Sequence, residues 1–378
     1  MVGGLAVGTP VMLHNGRPVA IESLRVGNVL MGADSRPRNV LATGDGVGPM
    51  RRIAPIKGAP WACSERSNVA LSGTGKFLGK TIDAPLDKYI EKHCACSRID
   101  DRWKLTRSAV DFPSHSVPVD PYLVGLWIGD GTFGEAFITN CEPEILDYCR
   151  RIAPMYGAEL TVMEFPEDNT RRLTFKTNEG WGIAGDNVVV NPIRRFFRND
   201  CARDGAKVIP DGYLYNSAET RAAILAGIID TDGFHNRGVI EVTTVSPVLR
   251  DQYLYLARSL GLAAYTSEKI ATIKSIGFTG LYHRVNISGD IASLPCIVPR
   301  RQCADRLQIK RVSVTGFTAE PIGDGAWCGV VLDGDGRFLL GDFTVARDSA
   351  PTELRIPVGL PRPEKASRKQ NVGVAPPR

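Results

Sequence analysis

Leu225-Ala226-Gly227-Ile228-Ile229-Asp230-Thr231-Asp232-Gly233 is an apolar run broken by small residues and closed by an acid and a glycine. The apolar residues at 225, 228 and 229 fit one face of a helix. Gly227 and Thr231 share a face one turn apart. A second helix can come unusually close there, because backbone rather than side chain fills the contact. Asp232 falls at the helix end, and Gly233 suits the left-handed position that closes a helix. A helix C-terminus already carries partial negative charge. A carboxylate there therefore calls for a positive partner, and a divalent cation meets that need.

The arrangement occurs twice. Leu123-Val124-Gly125-Leu126-Trp127-Ile128-Gly129-Asp130-Gly131 places Gly125 and Gly129 where the second copy has Gly227 and Thr231, and Asp130 where it has Asp232. Similar sequence follows each copy. Phe137-Ile138-Thr139-Asn140, Pro143, a helical run and Gly157 match Ile240-Glu241-Val242-Thr243, Pro247, a helical run and Gly261. A single apolar helix with a glycine after it is ordinary core. Two in the same register form an internal repeat of helix, β-region and helix.

The pair resembles the two motifs of LAGLIDADG (DOD-type) homing endonucleases. The resemblance implies two motif helices packed at a pseudo-twofold axis, with Asp130 and Asp232 as catalytic acids. The metal would sit at Asp130, Asp232, Gly129 and Thr231, with Mg2+ as the cofactor and Mn2+ as a substitute. It also implies a β-sheet from each half lying along DNA and a basic residue in each half-site. Ala206-Lys207-Val208-Ile209-Pro210, followed by Tyr213-Leu214 and Arg221, resembles the family's Asn-Lys-His-Ile-Pro segment and makes Lys207 the first of these. In the second repeat Pro299-Arg300-Arg301-Gln302 gives Arg301, or less favourably Arg300. Arginine keeps its charge but cannot shuttle a proton, so unequal cutting of the two strands is expected.

The flanks have another character. Residues 1 to 110 read as short strands and turns rather than helices. Gly8-Thr9-Pro10-Val11, the Asn15-Gly16 turn and Ile21-Glu22-Ser23-Leu24-Arg25-Val26-Gly27-Asn28-Val29 resemble the opening of a Hint (hedgehog/intein) domain. Trp327–Leu332 and Phe338–Val345 resemble the last two strands of an intein. The implied fold is multidomain: an all-β Hint domain split by an inserted α+β LAGLIDADG endonuclease domain with pseudo-twofold αββαββα-type repeats. The expected bounds are 1–115 and 306–349 for the Hint halves. The inserted domain would run 116–305, with repeats at about 116–200 and 207–305, and a disordered tail rich in proline and charge would follow over 350–378.

The intein resemblance implies splicing chemistry that is degenerate at every aligned position but one. The first-residue nucleophile is Gly4, which has no side chain. The Thr-x-x-His motif aligns with Ser64 to Ser67, with Ser67 in place of the histidine. Arg347 stands for the penultimate histidine and cannot act as a base. Asp348 stands for the cyclising asparagine, and its carboxylate is a poor nucleophile for imide formation. Only Ser349 keeps its chemistry.

Composition bounds the rest. At 378 residues, with 43% hydrophobic content, the chain can form several domains around large cores. No apolar run spans a membrane and no signal peptide is evident, so no membrane partner and an intracellular location are expected, nuclear in a eukaryote and otherwise cytoplasmic. Nine scattered cysteines suit a reducing compartment. Cys94 and Cys96 beside His93 are too tightly spaced for a zinc knuckle and read as unligated thiols. The net charge of +5 fits an anionic partner. That partner is expected to be double-stranded DNA with a long asymmetric site, bound by a monomer.

The DNA-contact candidates are Arg171, Arg172, Lys176, Arg194, Arg195, Arg237, Lys269, Lys274, Arg284 and Arg300. A denser cluster runs through Arg300-Arg301, Arg306 and Lys310-Arg311. The expected function is a site-specific double-strand DNA endonuclease on an intein-derived scaffold that no longer splices. Two alternatives stand beside it: an autoprocessing domain with residual peptide cleavage, and a DNA-binding protein whose nuclease has also decayed.

Overall fold

The computed structural model describes residues 3–93, 102–167, 169–177, 191–273, 278–302 and 311–351. It is a mixed α/β, multidomain chain with two large apolar cores.

One core is built by the two ends of the chain. Pro37–Pro55 runs antiparallel to Phe317–Leu332, with Thr43 opposite Val330 and Ile53 opposite Ala319. Leu5–Ala6 lies between this ribbon and Trp61–Ser64, so that Leu5 pairs with both Cys328 and Cys63. A second sheet joins Asn68–Gly73, Thr81–Pro85, Trp103–Thr106 and Val314–Thr315. Val11, Ile53, Cys63, Leu71, Trp103, Leu332 and Phe338 are buried between them. The Asn15-Gly16 turn joins Pro10–Met12 to Pro18–Ala20, with Gly16 at φ 87° as such a turn requires.

Two expectations for these flanks are corrected. The N-terminal part holds a helix, α1 (Leu86–His93), which buries Leu86 and Tyr89, and its longest strand is 19 residues. Strand length there is set by a partner at the far end of the chain, which local pattern does not show. Phe338–Val345 is not one strand. Arg337–Leu339 and Val345–Arg347 form a hairpin, and Phe343 in the turn adopts φ 70°.

The other core belongs to the middle of the chain. Its helices are α2 (Pro121–Asp130), α3 (Pro143–Ile152), α4 (Pro192–Asn199), α5 (Asp211–Leu214), α6 (Ala218–Asp232) and α7 (Pro247–Ser259). Capping fixes their starts. Asp120, Asn191 and Ser246 accept from backbone N–H groups of the first turn, each just before a proline at the first helical position. Phe137–Asn140, Thr170–Thr177 and Ala158–Phe165 make a three-stranded antiparallel sheet. Phe234–Asn236, Val239–Thr244, Phe278–Ser288 and Ala263–Ile273 make a four-stranded one. The central helices α2 and α6 are apolar on nearly every side, as helices enclosed by protein must be. Trp127 stacks on Phe197 at 4.5 Å, and Ile138, Phe175, Ile229, Val242 and Val285 complete the core.

The two halves are joined through a polar seam. Arg221 is fully buried. It donates to Val110 O at 2.6 Å and Asn216 O at 2.8 Å, and stacks over Phe112. Tyr255 donates to Gly16 O at 2.9 Å.

Candidate functional site

The close approach of α2 and α6 is dictated by their glycines. A Cβ at Gly125 would lie 2.2 Å from Ile224 O, and one at Gly227 would lie 2.5 Å from Tyr122 O. One turn later a Cβ at Gly129 would meet Thr231 Oγ1 at 2.0 Å and Asp232 Oδ2 at 3.4 Å. The helices therefore touch backbone to backbone and end side by side, and each ends on an aspartate.

Neither Gly131 nor Gly233 takes the left-handed conformation, which is the one expected of Gly233. Both are extended, at φ −75° and −70°. Each is glycine for want of space instead. A Cβ would strike Trp127 Cδ1 at 2.3 Å in the first case and Ile229 O at 2.5 Å in the second.

Each helix end is met by a cation from a segment about 70 to 80 residues further along the chain. Lys207 Nζ donates to the carbonyls of Trp127 (2.9 Å), Ile128 (2.9 Å) and Gly129 (3.3 Å), and lies over the Trp127 ring. Arg301 Nη2 donates to Thr231 O at 3.0 Å. The orphan carbonyls of both last turns thus find positive donors. Burial lowers the Lys207 pKa to about 8, although Asp232 and Asp130 pull the other way. Asp232 presents its surface to solvent, yet protein crowds it elsewhere and Asp130 adds like charge. Together they raise its pKa to about 6. Burial also raises Asp130, opposed by the Asn140 hydrogen bond and by Lys207 and Arg301.

Asp130, Asp232, Lys207, Arg301, Gly129 and Thr231 therefore meet at one place. Among the described residues no cluster of three or more His, Cys, Asp or Glu side chains is arranged to hold a metal. Two residues of this centre were not singled out from sequence. Asp230, fully buried, accepts from Tyr122 Oη and Ile297 N, both at 2.7 Å, and ties α6 to α2. Asn140 donates to Asp130 Oδ2 at 2.5 Å. The second acid in Asp230-Thr231-Asp232 was a visible signal for the first. Nothing local marks Asn140.

The basic candidates divide by strand parity. Arg172 and Lys176 share the outer face of the three-stranded sheet, with Arg172 over the Phe137 and Phe165 rings. Arg171 takes the opposite parity and is tied to Glu164 and Cys141 O. Arg284 and Lys269 lie on the outer face of the four-stranded sheet, where Arg284 stands opposite Thr243 and pairs diagonally with Glu241 at 3.7 Å. Arg237 is exposed at a turn with φ 51°. On α4, Arg194 pairs with Glu135 at 2.8 Å and Arg195 is exposed. Arg300 is paired with Glu142. Lys274, Arg306, Lys310, Cys94, Cys96 and the tail from 352 lie outside the described residues.

The positions aligned with splicing chemistry converge in a second place, a pocket that Gly4, Ser67, Asn68, Gly329, Arg347, Asp348 and Ser349 help to line. Ser67 Oγ donates to Gly4 O at 2.7 Å, and Ser64 N donates to the same carbonyl at 2.8 Å. A Cβ at Gly4 would lie 2.1 Å from Cys328 O. Asp348 is buried, accepts from Leu332 N at 3.0 Å and pairs with Arg347, which also faces Asp83.

Residues 208–295 match the model of the homing endonuclease family. The homothallic switching endonuclease of Saccharomyces cerevisiae is 27% identical over 271 residues, which are 61% of this chain and 44% of that protein. The replicative DNA helicase DnaB of Mycobacterium intracellulare is 25% identical over 286 residues, 70% of this chain and 44% of that one. The chain thus spans less than half the length of either relative. Among solved structures, I-DmoI in complex with DNA and Mn matches at a TM-score of 0.31, with 14% identity over 45% of this chain and 88% of that one. The gp41-1 intein matches at 0.20, with 17% identity over 28% and 68%. Residues 208–295 are thus similar to homing endonucleases, and the rest of the match is shared with intein-containing relatives. The chain is similar to the yeast switching endonuclease and to DnaB inteins. Among the described residues, no helix is long and apolar enough to cross a membrane.

Proposed function

We propose that this chain is a site-specific, divalent-metal-dependent double-strand DNA endonuclease. Its scaffold would be an all-β Hint domain split by a pseudo-twofold endonuclease domain and no longer able to splice. The pairing of Asp130 with Asp232 at the ends of two helices in backbone contact carries this reading. Burial first, and the neighbouring Asp130 charge second, raise the Asp232 pKa, so a bound cation would favour the ionised pair.

Mg2+ suits such a place. It is commonly bound through one or two carboxylates, with water and substrate phosphate completing its shell, rather than by an all-protein cage. Asp130 and Asp232 would hold it, beside the Gly129 and Thr231 carbonyls. When bound it stabilises charge on phosphate and makes water a better nucleophile. Lys207 and Arg301 anchor the helix ends and present positive charge beside the acids. Arg172, Lys176, Lys269 and Arg284 face outward from the two sheets, where a duplex would lie.

Loss of splicing is supported by Gly4, Ser67, Arg347 and Asp348 together, and by the lack of room for any side chain at position 4. The yeast relative carries the name of an endonuclease.

Selection of cleaved sites from a genomic or randomised DNA library in Mg2+, with Ca2+ as the comparison, tests the proposal. Cleavage at defined sites is expected, and Asp130→Asn or Asp232→Asn should abolish it while leaving DNA binding. A chain that binds DNA but cuts none of it in Mg2+ or Mn2+ would show the reading to be wrong. Ligated exteins, from the chain placed between two reporters, would overturn the loss of splicing.

A further inference from the structure

Asp130 and Asp232 occupy matching helix ends in unmatched surroundings. Asn140 Nδ2 donates to Asp130 Oδ2 at 2.5 Å, and Asn140 Oδ1 accepts from the Glu142 backbone N–H at 2.7 Å. Only one orientation of the amide serves both bonds, so its direction is fixed. The Glu142 carboxylate, whose side chain is 13% exposed, in turn accepts from Arg300 Nε at 2.5 Å and pairs with Nη2. A continuous chain of contacts thus runs from Arg300 in the second repeat to the carboxylate of the first. At the equivalent turn of the second repeat, Thr244 Oγ1 accepts from Ser246 N at 3.1 Å. Among the described residues no side chain donates a hydrogen bond to Asp232.

We infer that Asn140 is a positioning residue for Asp130, clamped by the Glu142–Arg300 pair, so that the first carboxylate is preset for a divalent cation and the second is not. The inference rests on the nuclease reading and refines it. It also moves Arg300 from the DNA-contacting group to the bracing of the site. Partners that orient a metal ligand are worth roughly 10–100-fold in metal affinity when removed.

Mn2+ alone, titrated into the full chain without DNA and followed by the loss of free-ion paramagnetic resonance, is the probe. Asn140→Ala should weaken Mn2+ binding about tenfold, and Thr244→Ala should leave it unchanged. Glu142→Gln keeps the backbone N–H and removes only the clamp. It should weaken binding in the same direction by a smaller factor, which keeps a reading if Asn140→Ala does not fold. Mn2+ binding by Asn140→Ala or Glu142→Gln equal to that of the unaltered chain overturns the inference and leaves the nuclease reading standing. Equal losses in Asn140→Ala and Thr244→Ala overturn it too. No Mn2+ binding by the unaltered chain, or none lost in Asp130→Asn, overturns the preset first carboxylate, whereas only failure to cut DNA in Mg2+ or Mn2+ overturns the nuclease reading.

Discussion

Lys207 Nζ sits 2.9 Å from the carbonyl oxygen of Trp127, so the ammonium closes the helix that carries Asp130 while remaining in the field of both aspartates. Structure and chemistry are joined in that one side chain. Lys207→Met would leave the last-turn carbonyls without their donor and the acids without their nearest cation. Single-turnover cleavage should fall about 10²–10³-fold, the usual loss when a charge-stabilising group is removed. DNA affinity should change far less. A variant that cuts at the normal rate would assign Lys207 to helix capping alone.

Asp232 offers a stability measurement that needs no DNA. Its folded pKa of about 6 lies above the ordinary carboxylate value of 3.8. Between those values the folded chain holds more protons than the unfolded one, so this group's contribution to stability falls as pH rises and is at its least favourable above about pH 6. Asp232→Asn should therefore melt higher than the unaltered chain at pH 7.5. The gap should narrow as pH drops from 6 toward 4, and saturating Mg2+ should reduce it by stabilising the unaltered chain more than the variant. A lower melting temperature for Asp232→Asn at pH 7.5 would contradict this account.

The helix pair was legible because small residues at one-turn spacing, duplicated in register, have few uses other than close packing. Gly125, Gly129 and Gly227 meet the opposite helix as that spacing implies. The conformation of Gly131 and Gly233 was not legible. A glycine after a helix serves a left-handed cap or a tight contact equally well, and only the neighbouring Trp127 and Ile229 decide between them. Lys207 could be picked out as a residue, but not the carbonyls it would reach 78 to 80 positions earlier. Arg171 and Arg172 looked equivalent, and strand parity separates them. Asn140 was hidden because a β-strand and a turn must return it to the helix end before it means anything.

Gly227 tests the geometry of the helix pair. Its Cβ would lie 2.5 Å from Tyr122 O and 2.8 Å from Leu126 N, both backbone atoms that cannot swing away. Gly227→Ala should force the helices apart at a cost of about 1–3 kcal/mol, typical of overpacking. It should also separate the two carboxylates. Urea denaturation should register the first effect and Mg2+-dependent cleavage the second. Unchanged stability with full cleavage would mean that the helices are not in backbone contact.

Arg301 makes the two helix ends chemically unequal. It reaches Thr231 O at 3.0 Å through one nitrogen, while its Nε is buried without a partner. Lys207 reaches three carbonyls, and its pKa, lowered to about 8, lets it release a proton near neutrality. A guanidinium stays protonated even where burial lowers its pKa, as it does here. If a proton must move at each scissile phosphate, the half-site served by Arg301 is the slower one. On a supercoiled plasmid carrying a selected target, a nicked circle should accumulate before the linear product, with the nick confined to one strand. Arg301→Lys should shorten the life of that intermediate by speeding the slower strand. Equal rates on both strands in the unaltered chain would mean that Arg301 and Lys207 act only through their charge, for which the two side chains are interchangeable.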